Sequence, residues 1–175
     1  MRTALLIIAQ KDFQDRELKG VRDALKAAGF EIVLGSVMAG PCTGKFGSTE
    51  VAQVALKDVQ VADYDRIAFI GGPGAETLAS DSEALRIAFQ TAAASIPLGA
   101  ICIAPLILAK ARVLSGRKAT VWDFGGVQKA FLERYDAQVT GDDVTVDGLI
   151  VTGNGPDAAE EFGRTLATMG ERDAQ

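Results

Sequence analysis

The sequence of 175 residues contains no histidine. This absence excludes Ser-His-Asp and Cys-His catalysis, zinc sites of the HExxH type, and every other mechanism that needs an imidazole from this chain. Assembly into a homo-oligomer does not restore these mechanisms, because each copy lacks histidine too. Any general acid or base is therefore a carboxylate, Lys, Tyr, Cys or water.

Cysteine is scarce as well, and its two positions are Cys42 and Cys102. Two separated cysteines do not indicate a disulfide framework, so we expect two free thiols. Without histidine they also form no ligand cluster with the usual metal spacing. We expect no metal and no other cofactor.

The chain has no basic run: 18 Lys and Arg stand against 23 Asp and Glu, for a net charge of −5. Nucleic-acid binding needs clustered basic side chains, so we expect no nucleic-acid partner. No apolar run approaches the roughly 18 residues of a membrane span. Residues 1–8 also lack the long apolar segment and cleavage site of a secretory signal. These features predict a cytoplasmic protein with no membrane partner.

The composition, with 48% hydrophobic and 23% charged residues, is that of a globular protein. The length suits one domain, which we place at residues 1–170, followed by a short polar tail at residues 171–175.

Strand-like and helix-like patterns alternate along the chain. Buried strands are predicted at residues 3–9, 31–34, 66–70 and 97–101, and helices at 15–28, 83–94, 105–111, 125–135 and 156–169. Short antiparallel strands are predicted between residues 40 and 59, a short strand at 119–121, and a hairpin from 144–146 and 149–152. This alternation predicts a three-layer α/β/α sandwich with a mostly parallel sheet.

Cys102 lies between a predicted strand and a predicted helix, with Ala100 and Ala104 two positions to either side. Small residues at these positions are what a nucleophile elbow needs, because its tight turn leaves little room. Pro105 suits the first turn of the following helix. The helix N-terminus predicts a lowered thiol pKa. The alternative is a buried cysteine that acts only as a small hydrophobic residue.

Residues 71–74 (Gly-Gly-Pro-Gly) follow the predicted strand at 66–70. We expect a backbone N–H of this segment to join that of Ile103 in an oxyanion hole. The alternative is a tight turn that needs a positive φ. A dinucleotide fingerprint is only weakly matched, since Thr77 stands at the third glycine position.

Glu17 lies near the start of the first predicted helix, where a carboxylate interacts favourably with the helix dipole. The functional alternative is a buried carboxyl with a raised pKa that faces the thiol and shuttles a proton. Asp12 competes for this role, whereas Asp15 is predicted to be the helix N-cap.

Aromatic residues near the predicted strand ends offer walls for a pocket. Trp122 and Phe124 are either pocket wall or core. Cys42 lies in a Gly-Pro-Cys-Thr-Gly segment read as a turn, has no elbow features, and is not expected to be functional. The expected pocket residues are Gly71, Trp122, Phe13 and Gln14.

The elbow around Cys102, the early Glu17, residues 114–120 and 146–152, and Gly155-Pro156 together resemble the DJ-1/PfpI superfamily over roughly residues 3–169. The resemblance implies a flavodoxin-like sandwich that forms a homodimer or a larger homo-oligomer. It also implies that Cys102 is the nucleophile, Glu17 its partner carboxylate, and Gly72 and Ile103 the oxyanion amides.

The chain departs from the superfamily pattern at three positions. Ile103 stands where peptidase-like members have His, Trp122 where many members have His, and Gln14 where a second acidic residue is common. These departures argue against a peptidase and against a His-assisted glyoxalase mechanism.

Three functions remain open. The leading hypothesis is an enzyme whose Cys102 thiolate adds to a small electrophile, the aldehyde of a 2-oxoaldehyde such as methylglyoxal, while Glu17 moves the proton, as in glyoxalase or deglycase chemistry. The second is isocyanide hydration, which superfamily relatives perform with the same two groups. The third is a peroxide sensor in which Cys102 is oxidised to sulfenic and then sulfinic acid.

Overall fold

The computed structural model describes residues 1–171 and contains twelve strands in that part of the chain. They are β1 (Arg2–Ile7), β2 (Lys11–Phe13), β3 (Phe30–Ser36), β4 (Gly40–Gly44), β5 (Thr49–Ala52), β6 (Val54–Ala55), β7 (Arg66–Phe69), β8 (Leu98–Ile101), β9 (Lys118–Ala119), β10 (Gln138–Val139), β11 (Val144–Asp147) and β12 (Ile150–Gly153). Seven of them form the central sheet in the order β11-β12-β8-β7-β1-β3-β6. Every neighbouring pair in this sheet is parallel except β11 and β12.

Helices cover both faces of this sheet. They are α1 (Asp15–Ala27), α2 (Ala75–Leu78), α3 (Ser82–Ala93), α4 (Pro105–Lys110), α5 (Val127–Arg134) and α6 (Ala159–Thr168). Helices α1 and α6 pack together on one face, and α3 packs with α4 on the other. The close approach of α1 and α6 depends on Gly20, where an added Cβ would lie only 2.8 Å from the Ala159 Cβ. The predicted three-layer sandwich with a mostly parallel sheet is therefore confirmed.

The central strands are buried because helices cover them on both sides. Burial is continuous along these strands. It covers residues 4–8, which include the end of β1 and the residue after it, and all four residues of β7 and of β8. This explains why continuous apolar runs marked these strands in the sequence. The predicted hairpin at residues 144–152 is also confirmed as β11 and β12, with Gly148 at φ +60° in its turn.

The segment from residue 40 to 55 differs from its prediction in one respect. Residues 40–44, the Gly-Pro-Cys-Thr-Gly segment, form strand β4 and not a turn. This strand pairs antiparallel with β5, as expected, and in parallel with β2, a strand that the sequence pattern did not reveal. The pairing with distant β2 supplies the hydrogen bonds that hold a glycine-rich segment extended.

The C-terminal helix begins later than predicted, because Pro156–Ala158 forms a 3₁₀ turn before α6. Of the expected polar tail, Glu171 is bound, since its side chain pairs with Arg2. Residues 172–175 lie outside the described residues. None of the helices in residues 1–171 is long and apolar enough to cross a membrane.

Candidate active site

Three loops meet beyond the carboxyl ends of β1, β7 and β8, which are adjacent in the sheet. This edge is where open α/β sheets bind their ligands. The loops carry Gln14, Gly72 and Cys102, respectively.

Cys102 occupies a strained turn between β8 and α4. Its φ of +63° lies in the left-handed region, which costs an ordinary side chain about 1 kcal/mol or more. Two backbone hydrogen bonds hold it there: the Cys102 N–H donates to Gly153 O at 2.8 Å, and the Trp122 N–H donates to Cys102 O at 2.9 Å. Ala104 in this turn is fully buried, so a larger side chain would not fit. The predicted nucleophile elbow is confirmed.

Glu17 lies in the first turn of α1 and is fully buried. Its Oε1 accepts the Gly71 N–H at 3.0 Å, whereas Oε2 has no hydrogen-bond donor that meets normal geometry within residues 1–171. The polar group beside this carboxyl is the Cys102 thiol. A Cβ added at Gly71 would lie 2.5 Å from the Cys102 Cβ and 2.6 Å from Glu17 Oε1. Gly71 therefore leaves the room that brings the carboxyl and the thiol together.

The two groups titrate as a coupled pair. Burial raises the pKa of the Glu17 carboxyl to about 7, although the Cys102 thiol and the Gly71 N–H both favour its charged form. Burial is the main reason why the pKa of the Cys102 thiol is raised, and the charge of Glu17 is the second. The N–H groups of Gly72 and Ile103 oppose this shift because they favour the thiolate. The expectation of a lowered thiol pKa is thus wrong, because desolvation outweighs the backbone N–H groups. Around pH 7 the pair passes from two protons to one, and Glu17 is the group that releases and takes up that proton.

A cavity of about 170 Å³ opens beside the thiol. Its lining residues are Gln14, Lys45, Gly72, Pro73, Cys102, Ile103, Trp122 and Pro156. Of the expected pocket residues, Gln14 and Trp122 therefore lie in the wall. Phe13 does not, because its side chain is fully buried in the core, and neither does Gly71, which lies behind the thiol against Glu17.

Trp122 lines this cavity and Phe124, which does not line it, stacks on Trp122; neither residue is core. Their rings stack with centroids 6.2 Å apart and an interplanar angle of 11°. Phe124 is 73% exposed. Asp12, the carboxyl that competed with Glu17, lines a separate surface cleft with Thr77 and does not face the thiol.

The start of α1 is capped by Gln14 and not by Asp15. Gln14 Oε1 accepts the N–H groups of Arg16, at 2.7 Å, and Glu17, at 3.4 Å. The Asp15 carboxylate instead accepts the N–H groups of Phe46 and Ser48, both at 2.9 Å. Although burial opposes its charge, these hydrogen bonds lower the pKa of Asp15. The capping prediction is wrong because the β4–β5 turn, which lies close only in the folded chain, provides the partners of this carboxylate.

Sequence reasoning missed Lys45, Pro73 and Pro156 in the wall of the cavity. Lys45 belongs to the turn between β4 and β5 and carries no motif that relates it to Cys102. Pro73 and Pro156 stand directly after glycines in segments already noted, and this adjacency was the available signal.

The second thiol lies elsewhere. Cys42 is buried in β4, where its Sγ accepts a hydrogen bond from Gln10 Nε2 at 3.4 Å. Within residues 1–171, no three Cys, Asp or Glu side chains group in a way that could hold a metal ion.

Comparison with known proteins identifies the family that has this fold. The model of the DJ-1/PfpI family matches residues 2–169. An uncharacterized protein of Methanocaldococcus jannaschii is 32% identical over 162 residues, which cover 91% of this chain and 78% of that protein. A ThiJ/PfpI domain protein from Brachyspira murdochii superposes with a TM-score of 0.90 at 24% identity, covering 94% of each chain. Oxidized DJ-1 from Toxoplasma gondii superposes with a TM-score of 0.80 at 26% identity, covering 96% of this chain and 95% of that one. The elbow, the fold and these matches agree, and the chain belongs to the DJ-1/PfpI family.

Proposed function

We propose that this protein is a cysteine-dependent enzyme that converts small 2-oxoaldehydes, such as methylglyoxal, into 2-hydroxy acids in the manner of a glyoxalase or deglycase. One observation carries the proposal. The buried Glu17 carboxyl, with its pKa raised to about 7, lies against the thiol of Cys102. A group with this pKa takes up and releases a proton near neutral pH, which the reaction requires of it more than once.

The first step forms a covalent adduct. The Cys102 sulfur adds to the aldehyde carbon, and the thiol proton passes through Glu17 to the aldehyde oxygen, which gives a hemithioacetal. The N–H groups of Gly72 and Ile103, which favour negative charge at the sulfur, are placed to stabilise charge at this point in the cavity.

The next steps move two protons within the substrate. The Glu17 carboxylate removes the proton from C1 and returns it to C2, and the proton of the C1 hydroxyl passes to the ketone oxygen, so that C1 becomes a thioester carbonyl and the ketone becomes an alcohol. Water then cleaves the thioester and releases lactate and the free thiol. The oxidation of C1 is balanced by the reduction of C2, so the reaction needs no external oxidant or reductant.

The size of the cavity agrees with a substrate of this kind. A cavity of about 170 Å³ is smaller than the roughly 300–1,000 Å³ of pockets that hold drug-sized ligands. Methylglyoxal has five non-hydrogen atoms, and a peptide substrate would be far larger.

The test is the product formed from methylglyoxal. We expect wild-type protein to form lactate, and Cys102→Ser to lose at least about a thousandfold of this rate. Cys42→Ser is the matched control and keeps the wild-type rate. Full turnover by Cys102→Ser, or the absence of lactate from wild-type protein, overturns the proposal. Formation of a formamide from an isocyanide, without lactate from methylglyoxal, would assign the same two groups to isocyanide hydration.

Redox sensing is a second candidate, and the oxidized form of the Toxoplasma gondii relative favours it. Peroxide would convert the thiol to a sulfenic acid and then, with a second peroxide, to a sulfinic acid, releasing one water each time. Cys42 is held in β4 with Gln10, so we expect no disulfide between the two thiols. Mild peroxide should then add about 32 Da at Cys102. A disulfide, or an unchanged mass, contradicts this candidate.

Family membership supports two further proposals, that the protein is cytoplasmic and that it forms a homodimer. Light scattering in solution should give the mass of two chains, and a monomer would refute the second proposal. We also propose that residues 1–170 form one domain, which predicts a single cooperative unfolding transition.

A further inference from the structure

Lys45 is the one described residue of the cavity wall whose side chain carries a permanent charge at neutral pH. It follows β4, a strand of the three-stranded sheet, whereas Cys102 follows β8 of the central sheet. The proposed chemistry does not use it: thiol addition and proton transfer need only Cys102, Glu17 and the backbone N–H groups. A lysine in the wall of such a small cavity therefore calls for a separate explanation.

The turn that carries Lys45 is tied to the reactive centre. The Lys45 N–H donates to Phe13 O at 2.9 Å, just before α1. The N–H groups of the next residues, Phe46 and Ser48, are bound by the carboxylate of Asp15, which begins the same helix that carries Glu17 two residues later. Lys45 is thereby positioned relative to Glu17 through the backbone.

The other polar groups in the wall are hydrogen-bond donors. Gln14 Oε1 is occupied by two N–H groups at the start of α1, which leaves the amide nitrogen of Gln14 as its free group. Gly72 and Ile103 present backbone N–H groups to the sulfur. The neighbouring Arg16 is paired with Asp157 outside the cavity, at 2.8 Å. Lys45 is exposed, and its Nζ lies 5.5 Å from the centroid of the Phe46 ring, so the rim offers donors and one positive charge that is open to solvent.

We propose that Lys45 determines substrate specificity by pairing with a carboxylate on the electrophile. The substrate class would be small 2-oxoaldehydes that carry a carboxylate, and this inference rests on the proposed function for its reaction. A carboxylate adds three non-hydrogen atoms and a phosphate ester adds five, so the carboxylate extends least from the small cavity towards the exposed Lys45. Trp122 lines the same cavity and gives it an apolar wall beside the charged lysine.

The test compares two alkylating probes that differ mainly in charge, iodoacetate and iodoacetamide. In each case the Cys102 sulfur bonds to the methylene carbon, iodide leaves and the thiol proton is released. Second-order rate constants at Cys102 are measured separately from those at Cys42 by peptide mass spectrometry, and the quantity of interest is the ratio of iodoacetate to iodoacetamide rates. This ratio cancels general changes in thiol reactivity.

We expect Lys45→Gln to lower the ratio by about fivefold, the upper end for an ion pair open to solvent. Lys45→Arg, which keeps the charge, should retain most of the ratio. Lys57→Gln removes one positive charge from an exposed site outside the cavity and should leave the ratio unchanged.

Two outcomes overturn the inference. One is an unchanged ratio in Lys45→Gln, and the other is an equal fall in Lys57→Gln, which would reveal an effect of net charge alone. Because alkylation needs no turnover, the result is independent of the proposed function. If wild-type protein shows the charge preference but forms no lactate, the proposed reaction is refuted and the role of Lys45 stands. If it forms lactate but shows no charge preference, the role of Lys45 is refuted and the proposed reaction stands.

Discussion

Cys42 and Cys102 are both buried thiols, but the two regions around them differ in backbone conformation and in charge. Cys42 lies in the regular strand β4, and its neighbours are the neutral side chain of Gln10 and the carbonyl of Gly40. Cys102 lies in a left-handed turn, with a carboxyl beside its sulfur and two N–H groups directed at it. Both thiols are buried, so it is their backbone conformation and their neighbours that distinguish them.

The difference lies in what the backbone strain makes possible. At Cys42 the side chain points from the strand into packed structure, as any small apolar residue would. At Cys102 the left-handed turn brings the thiol beside three groups: the Glu17 carboxyl in α1, the Gly72 N–H after β7, and the N–H of Ile103 in the turn itself. Strained residues persist only where the surrounding structure holds them, and here the hydrogen bonds to Gly153 and Trp122 do so.

The largest expected difference is in alkylation by iodoacetamide near neutral pH. We expect Cys102 to react faster than Cys42 by roughly two orders of magnitude. Glu17 takes the Cys102 proton as the sulfur attacks, which offsets the raised thiol pKa, whereas Cys42 must first be exposed by a local opening that costs about 3 kcal/mol. Peptide mass spectrometry over a time course measures both rates in one sample. Comparable rates at the two thiols would remove the contrast between the regions.

The pH dependence of this alkylation sharpens the comparison. Below pH 7 Glu17 is protonated and cannot take the thiol proton, so the rate at Cys102 should rise as the pH increases through the Glu17 pKa of about 7. In Glu17→Gln the inflection near pH 7 should disappear, while Cys42 is unaffected. An unchanged profile in Glu17→Gln would show that the carboxyl does not control the thiol.

The pH dependence of folding stability should also depend on Glu17. Its pKa is raised from 4.5 to about 7, so between these values the folded state binds more protons than the unfolded state, and stability falls as the pH rises. Between about pH 5.5 and pH 8 the loss should be about 2 kcal/mol. Urea unfolding of wild type and Glu17→Gln at both pH values measures it. We expect the free energy of unfolding of Glu17→Gln to fall less than that of wild type by this amount. If both proteins lose the same free energy between the two pH values, Glu17 is not a buried, titrating carboxyl.

Gly71→Ala should disturb the Cys102 region alone. The new Cβ would lie 2.5 Å from the Cys102 Cβ and 2.6 Å from both Glu17 Oε1 and Ile101 O, so the thiol and the carboxyl must separate. We expect a loss of stability of about 1–3 kcal/mol, together with slower alkylation at Cys102. Gly35→Ala is the control, because its nearest contact, at 3.2 Å, is the end of the Leu5 side chain. Equal effects of the two substitutions would indicate general overpacking.

The smallest expected effect concerns the turn between β4 and β5. Asp15→Asn keeps one acceptor oxygen for the two N–H groups of Phe46 and Ser48, so the turn that carries Lys45 should loosen. We expect the iodoacetate-to-iodoacetamide ratio at Cys102 to fall by about twofold, less than on removal of the Lys45 charge. If the ratio stays at the wild-type value while Lys45→Gln lowers it, Asp15 does not position Lys45.

Much of this site was recognisable before folding was considered. The elbow could be predicted because its steric demand is local: small residues around Cys102 and a proline three positions later leave a pattern in adjacent letters. The central strands were predictable for a similar reason, since burial on both faces requires continuous apolar runs.

The errors arose where distant segments meet. Asp15 has the sequence position of a helix cap, but its carboxylate binds a turn some thirty residues later. The thiol pKa was misjudged because a helix N-terminus is visible in sequence, whereas the burial that outweighs it is not.

The sequence by itself determined the fold class, the elbow at Cys102 and the exclusion of histidine chemistry, because each depends on composition or on neighbouring residues. Only the tertiary structure decided the partners of the Cys102 thiol. Gly71 brings Glu17 against Cys102, and the β4–β5 turn brings Lys45 into the cavity wall. These residues are separated by tens of positions along the chain, and their energies depend on contacts and desolvation that arise only when the loops converge at the edge of the sheet.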